Sequence, residues 1–272
     1  MRIKNKFTQL KENGEKALIT FITAGDPDLD TTERLVLEME RKGADIVELG
    51  LPFSDPLADG PVIQKSSQRA LEGGVRTPDM FQLVRCLRKN TDIPLVILTY
   101  YNPVFSFGLK AFVKEAASAG VDGLIIPDLP LEESDELKKI TSSQGVDLIY
   151  LLAPTSTDER IKRTDKKAGG FIYCVSITGV TGVREEFSSS IENLIKRIRK
   201  YTSLPLALGF GISNPQQAGL AAYYADGVIV GSALVKIVEQ HGDNPDLLIN
   251  KVGEYVGSLK EGIPGQFSDF PI

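Results

Sequence analysis

The chain has 272 residues, 42% of them hydrophobic and 25% charged, with a formal net charge of −5. That balance is ordinary for a globular protein with a real core, and its interleaved acids and bases argue against nucleic acid or an anionic membrane as the main partner. No stretch approaches the length of a bilayer span. Cys86 and Cys174, the two cysteines, have neither metal nor redox spacing, so a reduced, cytoplasmic setting is expected.

The first sixteen residues, MRIKNKFTQLKENGEK, are basic but lack the apolar centre of a signal peptide. They predict a short amphipathic helix using Ile3, Phe7 and Leu10. Eight short apolar, β-rich runs follow, at 18–23, 46–50, 95–99, 123–127, 147–152, 170–175, 205–210 and 227–230. Helical patterns lie between them. One spans 31–42 and ends at Gly43; another spans 61–72 and is closed by Gly73-Gly74. Thr77-Pro78 opens 78–90, and 109–119 carries Leu109, Phe112, Val113 and Ala116 at helical spacing before Gly120. Patterns at 132–143 and 157–167 come next. Ser189 and Glu192 read as a capping box ahead of Ile191, Leu194, Ile195 and Ile198. Asn214-Pro215 and Asn244-Pro245 open two further helices.

Near-continuous apolar strands alternating with helices imply a parallel sheet covered on its outer face. Eight such units in this length predict an α/β chain folded as a single closed (β/α)8 barrel, the TIM-barrel class, with an extra N-terminal helix and extra helical segments. A doubly wound open sheet is the runner-up; against it, TAGDPD follows the first run where a Gly-rich fingerprint would stand. The expected organisation is one barrel domain over 1–262 and an irregular tail over 263–272.

A barrel carries its chemistry at the C-terminal ends of the strands. Glu48 sits inside the second apolar run, sharing a strand face with Ile46 and opposing Val47 and Leu49. Glutamate is rarely buried without a partner, so Glu48 reads as an acid/base candidate. The loop after it is stiffened by prolines and holds Asp55, Asp59 and Gly60, with Pro61 placed to start a helix. Either aspartate can equally serve as a turn or capping residue. His241 is the only histidine and lies in a polar segment, which disfavours a Ser-His-Asp triad or a histidine-rich zinc site. No lysine falls in the eight runs, so a Schiff-base route is also disfavoured.

Glycines gather after the sixth, seventh and eighth runs, where barrels commonly hold phosphate on backbone N–H groups. Gly211 permits close approach, and Ser232 offers a hydroxyl and an N–H at a helix start. Gly179 and Gly182 flank Val180-Thr181 in a loop that reads as a lid or as plain surface. These readings leave a phosphorylated ligand, an apolar mouth of Phe21, Leu98, Phe210 and Ile212, and a proton-transfer pair of Glu48 and Asp59 supported by Tyr173.

Taken together, ELGLPFSDPLADGP at 48–61, YYNP at 100–103, PDLP at 127–130, SITGVTG at 176–182, GFGIS at 209–213 and GS at 231–232 resemble the tryptophan synthase α-subunit family over residues 1–262. The resemblance implies retro-aldol cleavage of indole-3-glycerol phosphate to indole and glyceraldehyde 3-phosphate. It assigns acid/base catalysis to Glu48, the indole N–H to Asp59, and a supporting hydrogen bond to Tyr173. Phe21, Leu98 and Phe210 would pack the indole, and Gly182, Gly211, Gly231 and Ser232 would hold the phosphate. It also implies an α2β2 complex with a β subunit, which would carry the pyridoxal phosphate; none is expected on this chain. The segment Pro52 to Asp59 and the Asn102-Pro103 region would face that partner. Thr99 departs from the apolar residue expected in this context and is a candidate to alter the indole pocket. Two other readings remain: a stand-alone indole-releasing lyase, and a barrel that binds a phosphorylated ligand without turnover.

Overall fold

The eight apolar runs become eight parallel strands in the computed structural model, which describes residues 1–175, 184–209 and 211–263 (for 184–190, the backbone alone). They are β1 (Ala17–Thr23), β2 (Ile46–Gly50), β3 (Leu95–Leu98), β4 (Gly123–Ile125), β5 (Asp147–Leu152), β6 (Ile172–Val175), β7 (Leu206–Gly209) and β8 (Gly227–Val230). Each pairs with the next, and β8 returns to β1 through Ala17↔Gly227 to Thr20↔Val230. The sheet therefore closes, which removes both edges and excludes the doubly wound alternative.

The helices are α1 (Arg2–Glu12), α2 (Leu29–Arg41), α3 (Pro61–Glu72), α4 (Thr77–Leu87), α5 (Tyr101–Phe107) and α6 (Leu109–Ala119). They continue as α7 (Asp135–Ser143), α8 (Asp158–Lys167), α9 (Arg184–Arg199), α10 (Pro215–Tyr224), α11 (Ser232–His241) and α12 (Pro245–Gly262). Side-chain caps fix several starts. Asp28 accepts from the Thr31 N–H at 2.7 Å, Asn214 from Gln217 at 2.9 Å and Asn244 from Leu247 at 3.2 Å. Gly120, at φ 103°, ends α6 in the left-handed conformation that favours glycine.

Two expectations are corrected. The helix assigned a capping box at Ser189 begins at Arg184, so Ser189 and Glu192 both lie inside it. The helix α5 was not anticipated, since YNPVFSF is a single short apolar stretch with an internal proline. Ile263 follows α12, and the tail 264–272 lies outside the described residues.

Strand alternation divides the core in two. Ala17, Ile19, Ile46, Val96, Ile125, Ile149, Ala207 and Ile229 fill the barrel interior, whereas Val47, Leu49, Ile97 and Leu208 pack outward against the helices. At the N-terminal end of the strands, α1 inserts Ile3, Phe7 and Leu10 into the interior cluster, with Phe7 and Phe171 ring centroids 5.9 Å apart. Burial of each such side chain contributes about 1.5–3 kcal/mol.

The same end carries a repeated device. Asp45, Asp122 and Asp226 each stand just before a strand and accept a backbone N–H from the neighbouring one, namely Leu18 at 2.9 Å, Leu95 at 2.9 Å and Leu206 at 2.8 Å. Each carboxylate also holds a cation: Lys260 at 2.7 Å, Arg88 at 2.7 Å and Arg199 respectively. Charge-assisted bonds of this kind pin strand register at the base and leave the opposite rim to the loops. No helix among the described residues is long and apolar enough to cross a membrane.

Candidate active site

A cavity of about 730 Å³ opens at the C-terminal ends of the strands, within the size range of small-molecule sites. Glu48, Leu98 and Tyr173 rise into it from β2, β3 and β6, and Phe21 and Ile229 from β1 and β8. The inward register of Ile46 carries through to Glu48, two residues on, because side chains repeat faces with period two. Glu48 pairs in register with Phe21 and with Val96, so an acid is held between apolar neighbours.

Glu48 is 1% exposed, and its Oε1 has no hydrogen-bond partner. Burial without a compensating charge pushes its carboxyl up to about 8. The group is thus protonated at neutral pH and able to give a proton.

Asp59 arrives from the loop after β2. It does not cap α3, whose N-cap is Gly60 with no side-chain cap, so the capping alternative fails for this residue. Its carboxylate instead accepts the Tyr100 hydroxyl at 3.0 Å, and Gln64 Nε2 holds its carbonyl oxygen at 2.8 Å. Burial raises the Asp59 carboxyl, and the Tyr100 hydrogen bond opposes that rise. Asp55 stays at the surface, bonded to Ser54 Oγ at 2.6 Å.

The Tyr173 hydroxyl is held well above its ordinary range by burial, then by the charges of Glu48 and Asp59. It remains a neutral donor, close enough to both acids to feel them. Its ring edges the cavity, which is why part of its surface stays accessible although it sits deep in the protein. A Cβ on Gly209 would lie 2.5 Å from the Tyr173 hydroxyl, so the ring position depends on glycine in β7. Phe21 is placed likewise, its ring 2.7 Å from where a Gly50 Cβ would stand.

The far wall is built from Gly211, Ile212 and Ser213 after β7 and from Gly231, Ser232, Ala233, Lys236 and Ile237 at the start of α11. Gly211 has φ +80°, and no side chain caps α11, so its first N–H groups are not taken by a capping side chain.

Of the residues singled out from sequence, the cavity brings together Glu48, Asp59, Tyr173, Phe21, Leu98, Gly211, Gly231 and Ser232. Gly182 and Phe210, and with them the lid reading of Gly179–Gly182, lie outside the described residues. Thr99 is fully buried, donates its N–H to the Ile125 carbonyl at 3.0 Å and is absent from the cavity lining, so it does not shape the pocket directly. Sequence reasoning missed Tyr100 as a partner of Asp59, and Ile63, Lys236 and Tyr255 as cavity residues. The i, i+4 spacing of Ser232 and Lys236 was the signal available for Lys236. Among the described residues no group of three or more His, Cys, Asp or Glu side chains is placed to hold a metal ion.

The sequence model of the family "Tryptophan synthase alpha chain" matches residues 7–264. The tryptophan synthase alpha chain of Geotalea uraniireducens is 52% identical over 262 residues, covering 96% of this chain and 97% of the relative. That of Thermoanaerobacter sp. is 53% identical over 260 residues, covering 96% and 98%. The crystal structure of tryptophan synthase subunit alpha from Legionella pneumophila superposes with a TM-score of 0.89 at 35% identity, covering 96% of this chain and 98% of that one. A chain from the tryptophan synthase complex of Pyrococcus furiosus gives 0.81 at 37% identity, covering 89% and 97%. A closed barrel, an uncompensated glutamate at the end of β2 and a match over nearly the whole chain converge, and the protein belongs to the tryptophan synthase alpha chain family.

Proposed function

We propose that this chain cleaves indole-3-glycerol phosphate to indole and glyceraldehyde 3-phosphate, with Glu48 and Asp59 as its acid/base pair. The observation that carries the residue roles is the pairing of a buried, protonated Glu48 with an Asp59 oriented by Tyr100 in one apolar cavity. Glu48 gives its proton to the ring carbon bearing the glycerol chain, and the indole becomes an electron sink. Asp59 accepts the indole N–H and stabilises the positive charge that develops there. The Glu48 carboxylate then takes the proton of the hydroxyl on the adjacent carbon. The carbon–carbon bond breaks, its electron pair returns to the ring, and an aldehyde and indole result. Tyr173 donates a hydrogen bond near the reacting atoms. Phe21 and Leu98, with Phe210, pack around the ring, while Gly211, Gly231 and Ser232, with Gly182, take the phosphate at the N-terminus of α11.

The partner in this reading is a tryptophan synthase β subunit, and pyridoxal phosphate chemistry belongs to that subunit. A structural relative from Pyrococcus furiosus is described as part of an α2β2 complex. Two apolar side chains in the segments that follow β2 and β3 support such docking: Leu57 in the loop after β2 is 91% exposed and Phe105 in α5 is 63% exposed. Large apolar groups left in water at neighbouring loops suit a protein surface. Their loops are linked, since Phe53 stacks on Tyr100 at 5.4 Å and Tyr101 meets Phe105 at 6.0 Å. The cytoplasm is the setting in which this biosynthetic step is expected.

The test is indole release from indole-3-glycerol phosphate by the purified chain, with and without a β subunit, with Glu48→Gln as control. Slow release that rises with the partner and vanishes in the variant supports the reading. Ligand binding without release by the wild-type chain under both conditions overturns it.

A further inference from the structure

Backbone N–H groups and a serine hydroxyl offer a phosphate dianion hydrogen bonds but no net charge. The titratable acids that line the cavity, Glu48 and Asp59, both stand at its β2 side. At the opposite wall the lining contains, among the described residues, one cation, Lys236. It lies four residues after Ser232 on α11, hence on the same face one turn further along. Long helical side chains lean back toward the helix N-terminus, which carries the Lys236 stem toward Gly231 and Ser232.

Lys236 is exposed, and two further observations tie it to the cavity. Among the described residues it has no carboxylate within ion-pair distance, and the acid nearest in sequence on its helix, Glu239, is taken by Arg69 at 3.5 Å and Lys65 at 4.0 Å. Tyr255 of α12, a helix that packs against α11, also lines the cavity, and its hydroxyl is buried with no partner. Among the described residues Glu48 Oε1 is the other buried side-chain atom of this cavity without a partner. Buried polar groups are normally satisfied, so a cavity lined by orphans from β2 and from α12 is one that a ligand with more than one polar group completes.

We infer that Lys236 supplies the positive charge that binds the substrate's phosphate, acting beside Ser232 and the first N–H groups of α11, with the Tyr255 hydroxyl completing that end of the pocket. This rests on the reaction proposed above and adds a residue that binds the phosphoryl group without touching the indole. Lys236 is exposed to solvent, so its gain is moderate: about three- to tenfold in phosphate affinity.

The reverse condensation separates the two halves of the ligand. In Lys236→Met the KM for glyceraldehyde 3-phosphate should rise about three- to tenfold while kcat and the KM for indole stay within about twofold; Lys236→Arg should restore it. The difference should shrink as sodium chloride screens the charge. Inhibition by inorganic phosphate should weaken by the same factor. An active Lys236→Met enzyme with an unchanged KM for glyceraldehyde 3-phosphate overturns the inference, as does an equal rise in both KM values with a fall in kcat. Binding of inorganic phosphate to the wild-type chain and to Lys236→Met, followed by calorimetry, keeps the two proposals apart. A wild-type chain without turnover removes the reaction, whereas equal phosphate affinity in the two proteins removes the lysine's role.

Discussion

The hydroxyl of Tyr100 donates to the Asp59 carboxylate at 3.0 Å while accepting the Ala58 N–H at 3.0 Å, so one phenol ties the end of β3 to the loop after β2. That loop needs an external brace because Asp59 makes no cap of its own. Tyr100→Phe keeps the ring and removes the brace. Because the hydrogen bond holds the Asp59 carboxyl down against burial, its loss should raise that carboxyl further. The proposed reaction uses the ionised form, so the acidic limb of kcat/KM should move to higher pH, with a loss of roughly three- to thirtyfold at neutral pH. An unmoved acidic limb would show that Asp59 is tuned by something else.

Glu48→Gln should lower the rate of indole release by at least about a hundredfold and leave ligand binding intact. It should also change stability with a definite sign. Folding raises the Glu48 carboxyl from 4.5 to about 8, so the native state retains a proton that the unfolded chain releases. The contribution of this group to stability is therefore greatest below 4.5 and declines as pH rises to about 8. Glutamine escapes that penalty. The variant should match wild type near pH 4.5 and exceed it near pH 8 by on the order of 3 kcal/mol, as urea unfolding at the two pH values would reveal.

Gly209→Ala tests the packing that sets Tyr173. The new methyl would fall 2.5 Å from the hydroxyl and 2.7 Å from the ring, so the ring must move or β7 must shift. A stability loss of about 1–3 kcal/mol is expected, with a fall in kcat larger than any change in phosphate affinity. Wild-type turnover in a normally folded variant would show that the position of Tyr173 is unimportant.

Phe105→Asp addresses the rim. The side chain is 63% exposed and outside the cavity lining, so basal indole release should be unchanged. Affinity for a β subunit should fall by about tenfold or more, measured by titrating the rate enhancement. Undiminished enhancement at low partner concentration would place the docking surface elsewhere.

Asp122→Ala addresses the base of the barrel. The change strips a partner from Arg88, from Arg2 and from the Leu95 N–H together. A loss of about 3 kcal/mol is expected in urea unfolding, with KM unaltered in the protein that remains folded.

The barrel was legible because its strands are short, β-branched and separated by patterns with clear caps; 46–50, 147–152 and 227–230 match β2, β5 and β8 residue for residue. Glu48 was legible for the same reason, since strand parity decides which wall a side chain meets. Asp59 was not separable from a capping residue until the geometry showed Gly60 in that place. Tyr100 was hidden because an aromatic residue at a strand end reads equally as core, and its role depends on an aspartate 41 residues away in sequence. Lys236 was hidden because a lysine on an amphipathic helix ordinarily marks the solvated face; only the approach of Tyr255 and the loop after β7 makes that face a wall. α5 was lost to its length, as a two-turn helix holds too few positions to show a period.

The insertion of Ile3, Phe7 and Leu10 at the N-terminal end gives the reaction chamber a hydrocarbon floor. In the proposed reaction, indole formed beside Glu48 would meet packed side chains below it, while the cavity faces the C-terminal ends of the strands. Its departure would then lead toward that face of the barrel, where the segments after β2 and β3 bear the exposed Leu57 and Phe105. A protein seated on that face would govern the traffic of an apolar product that otherwise escapes into bulk water. The short helix at the start of the chain thus bears on where the product goes, although it stands at the opposite end from the chemistry.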